Sequence, residues 1–314
     1  MILFAGSGPY DLDATSSDAT GAPLSANFRL IAEELGEAGI AVLRFNKRGV
    51  LGYGQYDMAQ VQQASVNQLI ADAESVLETA NAQAEVDAAQ IFLYGWSEGA
   101  QVAANVAANH PELAGLILQA PPNGGLDETL QYQQLDVAVP YLREAVDQNG
   151  DGQLSREELA TIPPGPTWYT TLFYIWAADA SPTNPAFQPG LDANNDDLID
   201  IDEELLPIIE QQIPVFAEGY AAVAPDMTTA ELVAGLEMQV LILQGRRDGW
   251  VSFRNAEEIA AAAPGTVTII VYPNLGHALS PTRNPATDAF GVMATRPIEN
   301  VVDWIERVTQ QGAE

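Results

Sequence analysis

The chain has 314 residues and is strongly acidic, because 12 Lys and Arg residues stand against 43 Asp and Glu residues and give a formal net charge of −31. A surface of this charge repels nucleic acid and anionic membranes, so neither is expected as a partner. The 47% of hydrophobic residues is typical of a globular protein, and the absence of cysteine excludes disulfides and thiolate metal sites.

Short apolar runs of strand length alternate with segments of helical periodicity along most of the chain. The predicted strands are Ile2–Phe4, Ala41–Phe45, Ile91–Trp96, Leu116–Ala120, Val240–Gly245 and Thr268–Tyr272. The predicted helices are residues 27–39, 65–83, 98–110, 254–263 and 297–310. Strands that are apolar throughout and alternate with helices indicate an α/β fold with a mostly parallel sheet, covered by helices on both faces.

The alternation stops between about residues 121 and 238. Prolines, acidic residues and the aromatic run WYTTLFYIW, residues 168–176, replace the strand-like segments there. We therefore predict one α/β domain, formed by residues 1–120 and 239–314, that is interrupted by a helical insertion, residues 121–238. Its aromatic run fits either the core of the insertion or the wall of a pocket, and both can hold for different faces of one helix.

The pentapeptide Gly95-Trp96-Ser97-Glu98-Gly99 has the pattern G-x-S-x-G and lies between a predicted strand and a predicted helix. A strand, a sharp turn and a helix are what an exposed nucleophilic serine requires. The small residues allow the tight turn, and the helix N-terminus favours developing negative charge. Ser97 is therefore the predicted nucleophile, and an ordinary glycine-bounded turn is the alternative.

A nucleophilic serine needs a base, and the chain has only two histidines, His110 and His277. His110 ends the predicted helix after the serine, whereas His277 follows the last predicted strand, at the sheet edge where a base could reach Ser97. Asp248 follows the preceding strand and is the predicted carboxylate that fixes the imidazole tautomer, with Asp226 as a weaker alternative. The order serine, aspartate, histidine is that of the α/β-hydrolases.

An oxyanion hole needs two backbone N–H groups. The first is predicted at Glu98, directly after the nucleophile. The second is predicted in the loop FAGSGPYDLD after the first strand, whose glycines let the backbone approach a substrate. We assign it to Ser7, with Gly8 as the alternative.

The segments around these residues resemble bacterial serine esterases of the α/β-hydrolase superfamily that carry a GSGP…RFDKRG…GHSEGG pattern. Here they read GSGPYDLD, LRFNKRG and GWSEGA, and with QGRRDGWV and LGHAL the similarity covers roughly residues 1–120 and 238–314. The resemblance implies the α/β-hydrolase fold, serine hydrolase chemistry and a cap formed by the insertion. The chain has Asn46 where the family has Asp, and Trp96 where the family has His.

The resemblance also bears on the start of the chain. Family members usually have an antiparallel β-hairpin ahead of the GSGP strand, and Met1 stands where that strand begins. A late start and a preceding segment with a targeting signal are both open. No signal peptide is visible, and an extracellular or periplasmic location is the expectation.

The insertion contains two acidic loops with the ligand spacing of an EF-hand. In the first loop the expected Ca²⁺ ligands are Asp147, Asn149, Asp151, the Gln153 carbonyl, Ser155 through water, and Glu158. In the second they are Asp192, Asn194, Asp196, the Leu198 carbonyl, Asp200 and Glu203. The first loop has Gly152 at the sharp bend, whereas the second has Asp197 there and no predicted entering helix.

These patterns together predict a serine carboxylesterase that hydrolyses a small-molecule ester through an acyl-enzyme, with two structural Ca²⁺ ions in the cap. A serine peptidase or amidase of the same fold is one alternative, because the same triad serves both reactions. A calcium-binding interaction protein on an inactive hydrolase scaffold is the other.

Overall fold

The computed structural model describes residues 1–18, 21–180, 186–221 and 226–311. Its central sheet has five parallel strands, which are neighbours in the order Ile2–Phe4 (β1), Phe92–Trp96 (β2), Gly115–Gln119 (β3), Gln239–Gly245 (β4) and Val267–Tyr272 (β5). The sheet confirms the predicted α/β class. Parallel strands need crossover connections, and helices occupy these connections.

Five long helices surround the sheet: Asn27–Glu37 (α1), Val66–Asn81 (α2), Glu98–Asn109 (α3), Phe253–Ala262 (α4) and Thr295–Gln311 (α5). Successive strand residues point to opposite faces of the sheet, so each strand contributes side chains to two apolar layers. Leu93 and Leu116 belong to the layer that contains α2, α3 and α4. Tyr94 and Ile117 belong to the layer that contains α1 and α5. Burial on both faces explains why these strands are mainly apolar.

Short elements complete the described part of this domain. Antiparallel ribbons pair Thr15–Ser17 with Pro23–Ala26 and Val50–Gly52 with Gln55–Tyr56, and short helices occupy Met58–Gln63, Ala88–Gln90 and Pro285–Thr287. None of the helices among the described residues is long and apolar enough to cross a bilayer.

The predicted strand Ala41–Phe45 is wrong in extent. Only Leu43 pairs with β1, through its N–H to the Met1 carbonyl and its carbonyl to the Leu3 N–H. Three residues further on, the Asn46 side chain accepts a hydrogen bond from the Leu12 N–H at 2.8 Å. An apolar run at an edge with a short neighbour therefore forms a single bridge rather than a strand.

The insertion between β3 and β4 is mainly helical. Its helical segments are Leu126–Gln131, Tyr132–Ala138, Val139–Tyr141, Leu142–Val146, Arg156–Leu159, Pro166–Tyr174, Ile201–Leu205, Leu206–Ala221 and Thr229–Ala234. One two-stranded antiparallel ribbon joins Gln153–Leu154 to Ile199–Asp200. The segment has its own apolar cluster, in which Leu142, Leu154 and Ile199 are fully buried. Its boundaries as a cap remain a prediction.

Candidate active site

The turn that carries Ser97 is strained and tightly packed. Ser97 has φ 57° and ψ −126° at the junction of β2 and α3, and its N–H donates to the Gln119 carbonyl at 2.9 Å. Such a backbone costs about 1–3 kcal/mol and persists only where its surroundings enforce it. A Cβ on Gly95 would lie 2.2 Å from the Gly99 carbonyl oxygen, and one on Gly99 would lie 2.2 Å from the Phe4 carbonyl oxygen. The two glycines of the pentapeptide are therefore what allows the turn.

The predicted acid and base are in contact. His277 Nδ1 lies 2.9 Å from Asp248 Oδ2, and the two residues are 2% and 1% exposed. The same Oδ2 accepts a hydrogen bond from Gln244 Nε2, and Oδ1 accepts the N–H groups of Trp250 and Val251 at 2.8 Å each. An ionised carboxylate can only accept hydrogen bonds, so in this contact His277 Nδ1 donates to Asp248 Oδ2.

Two further contacts fix these loops. The His277 carbonyl accepts a hydrogen bond from Gln119 Nε2 at 3.0 Å, and the Tyr132 hydroxyl of the insertion donates to the Asp248 carbonyl. The alternative acid Asp226 is exposed. His110 ends α3, as predicted, and its ring nitrogens contact Glu74 and Glu112.

The two predicted oxyanion donors lie beside the nucleophile. Ser7 and Glu98 line the same cavity as Ser97 and His277. A Cβ on Gly6 would lie 3.1 Å from Ser97 Cβ and 3.6 Å from Ser97 Oγ, so the peptide before Ser7 packs directly against the nucleophile. Among the described residues, no hydrogen-bond acceptor is found for the N–H of Ser7 or of Glu98. Both amides are available to a ligand.

A second buried carboxylate, which the sequence motifs did not reveal, joins the two triad loops. Asp288 Oδ2 accepts the N–H of His277 at 2.7 Å and that of Gly249 at 3.1 Å. Burial, followed by the nearby charge of Asp248, raises the pKa of Asp288 to about 7. Asp288 lies in an irregular stretch without any motif, so only its position eleven residues after the histidine could have drawn notice.

The hydrogen bonds around Asp288 fit its neutral form. Thr282 Oγ1 lies 3.0 Å from Asp288 Oδ1 and 3.2 Å from the Ser280 carbonyl. The hydroxyl donates its single proton to Asp288 Oδ1 or to the Ser280 carbonyl, and when it donates to the carbonyl a protonated Asp288 can donate to Thr282 in return. A protonated Asp288 satisfies every one of these contacts.

Asp288→Asn should therefore remove a pH dependence of stability without disturbing the fold. The pKa of Asp288 is raised on folding, so its contribution is fully present below the unfolded pKa and is lost as pH rises toward about 7. The asparagine amide reproduces the protonated carboxyl and does not titrate. Urea unfolding between pH 4 and 9 should show that the free energy of unfolding of the variant rises relative to that of the wild type up to about pH 7. Above that pH the difference between the two free energies should be constant. A difference that is independent of pH would refute the raised pKa.

The cavity above Ser97 measures about 610 Å³ and lies between the sheet domain and the insertion. Its aromatic lining residues are Tyr10, Tyr56, Trp96, Tyr169, Phe173, Tyr220, Trp250 and Phe290. Of the Asp, Glu, Lys and Arg residues that the structure describes, only Glu98 lines it. The aromatic run of the insertion serves both predicted purposes, since Tyr169 and Phe173 line the cavity whereas Tyr174 is buried in the insertion cluster.

The bends of the two predicted calcium loops have the same backbone form. Gly150 and Gly152 have φ 74° and 81°, and the corresponding Asn195 and Asp197 have φ 59° and 66°. Asp197 thus adopts the left-handed conformation that its place in the loop requires, and Arg156 contacts its carboxylate at 3.0 Å. As predicted, no helix enters the second loop over residues 186–191.

The loops are also joined and folded alike. Leu154 and Ile199, which occupy the same position in each loop, pair directly in the antiparallel ribbon. Asp147 accepts the N–H groups of three later loop residues, and Asp192 accepts those of two. Four further predicted ligand side chains also bind loop amides: Asn149 accepts from Asp151, Asp151 from Gln153, Asn194 from Asp196, and Asp196 from Leu198.

The carboxylate that closes the second loop is not the predicted Glu203. In the first loop, Glu158 accepts the N–H groups of Gln148 and Ser155, the second and ninth loop residues. In the second loop, Glu204 accepts the equivalent groups of Ala193 and Asp200, whereas Glu203 is exposed. The chain over Ile201–Leu205 is a π-helical turn, which absorbs one extra residue and shifts the equivalent position by one.

Comparisons with known proteins agree with this architecture. Residues 23–143, less than half of the chain, match the hydrolase family described as serine aminopeptidase, S33. No curated protein matches the sequence. Among solved structures, a metagenome-derived lipolytic enzyme is similar with 15% identity over 98% of this chain and 93% of that chain, at a TM-score of 0.51.

Two further solved structures have the same TM-score of 0.51. An esterase of Pyrococcus furiosus shares 14% identity over 98% of this chain and 80% of that chain. Est1E of Butyrivibrio proteoclasticus, solved with ferulic acid, shares 15% identity over 100% of this chain and 89% of that chain. At these identities the likeness concerns the fold, and together with the sheet order it defines the chain as an α/β-hydrolase fold.

Proposed function

We propose that the protein is a serine carboxylesterase with Ser97, His277 and Asp248 as its catalytic triad. The observation that carries the proposal is the buried contact between His277 and Asp248 at the wall of the cavity that also contains the strained Ser97. Ser97 Oγ attacks the ester carbonyl while His277 Nε2 takes its proton. The Ser7 and Glu98 amides stabilise the oxyanion, and His277 then protonates the departing alkoxide.

Water resolves the acyl-enzyme in the second half of the reaction. His277 Nε2 takes a proton from the water as it attacks the acyl carbonyl, and returns that proton to Ser97 Oγ when the acid leaves. Asp248 stays ionised throughout and stabilises the imidazolium that forms in each half. The cavity is within the usual range for a small-molecule site, and its aromatic lining suits an apolar acyl group.

A serine peptidase is the second candidate, because part of the chain matches the aminopeptidase family. An aminopeptidase must bind the ammonium group of its substrate, which calls for an unpaired carboxylate in the cavity. Within the described residues, Glu98 is the only Asp or Glu in the lining, and its carboxylate lies 3.1 Å from Lys47 Nζ. The cavity therefore favours a neutral ester over a free amino terminus.

The test compares p-nitrophenyl esters of graded acyl length with alanine p-nitroanilide. We expect turnover of the esters, with kcat/KM far above that of the anilide. Faster cleavage of the anilide would favour the peptidase. Absence of turnover on both, with calcium binding retained, would favour an interaction protein on an inactive scaffold.

We further propose that the two loops of the cap bind Ca²⁺ as structural ions. Among the described residues, no three Asp, Glu or His side chains form a ready metal centre. An EF-hand, however, also takes carbonyl, amide and water oxygens as ligands. The matching left-handed bends and the direct pairing of Leu154 with Ile199 support the fit of both loops. Glu158 and Glu204 would be the closing carboxylates, and Ca²⁺ would neutralise the loop acids and hold the loops together.

Glu204→Gln and Glu203→Gln form a matched pair that tests this proposal. We expect Glu204→Gln to weaken Ca²⁺ binding at one site and Glu203→Gln to leave it unchanged, as measured by calorimetric titration. Ca²⁺ at 100 times its Kd should stabilise the wild type, relative to a chelated sample, by about 2.7 kcal/mol for each occupied site. Loss of binding in Glu203→Gln alone would show that Glu203 is the ligand, as the regular loop spacing predicts. An unchanged melting temperature with chelator would exclude a structural ion.

A further inference from the structure

The only lysine of the chain, Lys47, is bound beside the predicted oxyanion hole. Its Nζ donates to the Gly6 carbonyl at 2.7 Å and lies 3.1 Å from Glu98 Oε2. The side chains of Lys47 and Glu98 are only 11% and 14% exposed. Because an unpaired ammonium is costly to bury, these two partners determine where the Lys47 side chain lies.

The contact with Gly6 sets the direction of the Ser7 amide. In a planar trans peptide, the C=O and the following N–H point in opposite directions. A Gly6 carbonyl that points to Lys47 therefore turns the Ser7 N–H away from the lysine. Gly6 itself lies against the nucleophile, since its Cβ would be 3.1 Å from Ser97 Cβ. Lys47 thus constrains the rotation of the peptide that presents one of the two oxyanion donors.

The contact with Glu98 concerns the other donor. Glu98 follows the nucleophile directly, and its side chain belongs to the residue whose N–H is the second donor. An unpaired carboxylate there would repel the negative charge that develops on the substrate oxygen, and the repulsion is strong where water is excluded. The ammonium at 3.1 Å offsets this charge and joins the two donor segments through one side chain.

We propose that Lys47, with Glu98 as its counter-ion, is a positioning residue for the oxyanion hole. It holds the Gly6–Ser7 peptide with its N–H available to the oxyanion and neutralises the carboxylate beside the second donor. This inference rests on the proposed esterase function. In the sequence Lys47 is visible only as part of a motif, because its contacts with Gly6 and Glu98 span 41 and 51 residues.

Lys47→Met tests the proposal, with Arg48→Met as the matched control. Arg48 is the next residue and pairs with Asp72 on α2, away from the cavity lining. For Lys47→Met we expect kcat on a p-nitrophenyl ester to fall about 10²–10³-fold, the loss typical of one oxyanion donor, with little change in KM. The affinity for a trifluoromethyl ketone, whose adduct with Ser97 carries an oxyanion, should fall in parallel. Lys47→Arg should recover much of both losses.

Several results would overturn the proposal. These are a kcat of Lys47→Met equal to that of Arg48→Met, a rise in KM alone, or an unchanged affinity for the ketone. If Lys47→Met does not fold, Lys47→Gln is subjected to the same measurements. If the wild type hydrolyses no ester, the proposed function fails, and the rate of Ser97 phosphonylation by a fluorophosphonate still tests Lys47: equal rates in the wild type and the variant reject the positioning role.

Discussion

Ser97→Ala is expected to reduce ester hydrolysis by roughly 10⁶-fold in kcat, the size of the loss when a triad nucleophile is removed. The variant keeps the oxyanion amides and the cavity, so weak hydrolysis above the rate in water should persist. Alanine also fits the space, although it inherits the backbone strain at φ 57°. The measurement is steady-state turnover of a p-nitrophenyl ester at saturating substrate.

The control for this variant is Ser17→Ala, because Ser17 also lines the cavity but is exposed on a short ribbon. We expect it to turn over at nearly the wild-type rate. Calcium titration of Ser97→Ala should match the wild type, because the loops of the insertion are separate from the nucleophile turn. Wild-type turnover in Ser97→Ala would place the chemistry elsewhere.

Asp248→Asn is expected to lower kcat by about 10⁴-fold at neutral pH, as the same change does in another Ser-His-Asp enzyme. Asp248 Oδ2 accepts the hydrogen bond from His277 Nδ1 and one from Gln244 Nε2. An asparagine NH₂ at that position donates instead, so His277 must accept at Nδ1 and carry its proton on Nε2. The imidazole is then unable to take the proton from Ser97.

The matched control is Asp226→Asn, since Asp226 is the other acid that the sequence offered to the triad and is exposed. Its turnover should equal that of the wild type. Equal losses in the two variants would mean that the carboxylates act through stability or surface charge, and the melting temperatures of both variants decide that point. A full loss in Asp226→Asn alone would reassign the acid.

The strands that could be predicted from the sequence are those whose burial on both faces selects apolar residues at nearly every position. Phe92–Trp96 and Gly115–Gln119 are buried throughout and apolar except for Gln119, because helices cover both faces of the sheet. Ala41–Phe45 is also mainly apolar but lies at the edge next to a strand of three residues, where only Leu43 forms a β-bridge. The composition of a segment indicates that it is buried, whereas its pairing in a sheet depends on the length of the neighbouring strand.

Some features of the candidate site depend on residues close in sequence, and others depend on residues that only the fold brings together. The turn at Ser97 and the bend of the first predicted calcium loop depend on residues close in sequence and are marked by glycines, whereas the second predicted loop makes the same bend with Asn195 and Asp197. Asp288 and Lys47 act through contacts with residues far along the chain, so only the fold reveals them. The loop pattern points to Glu203 rather than Glu204 for a local reason: a count along the sequence assumes regular spacing, and the π-helical turn over Ile201–Leu205 adds one residue before the carboxylate that accepts the Ala193 N–H.

The most direct test of the proposed triad is the mass of the protein after reaction with a fluorophosphonate, followed by peptide mapping. A triad at Ser97, His277 and Asp248 predicts one phosphonyl group per chain, located on Ser97, with labelling slowed in Asp248→Asn. It also predicts that a slowly hydrolysed ester leaves a transient acyl group on the same serine. A label on another residue, or an unlabelled Ser97 in protein that turns over esters, would contradict the account.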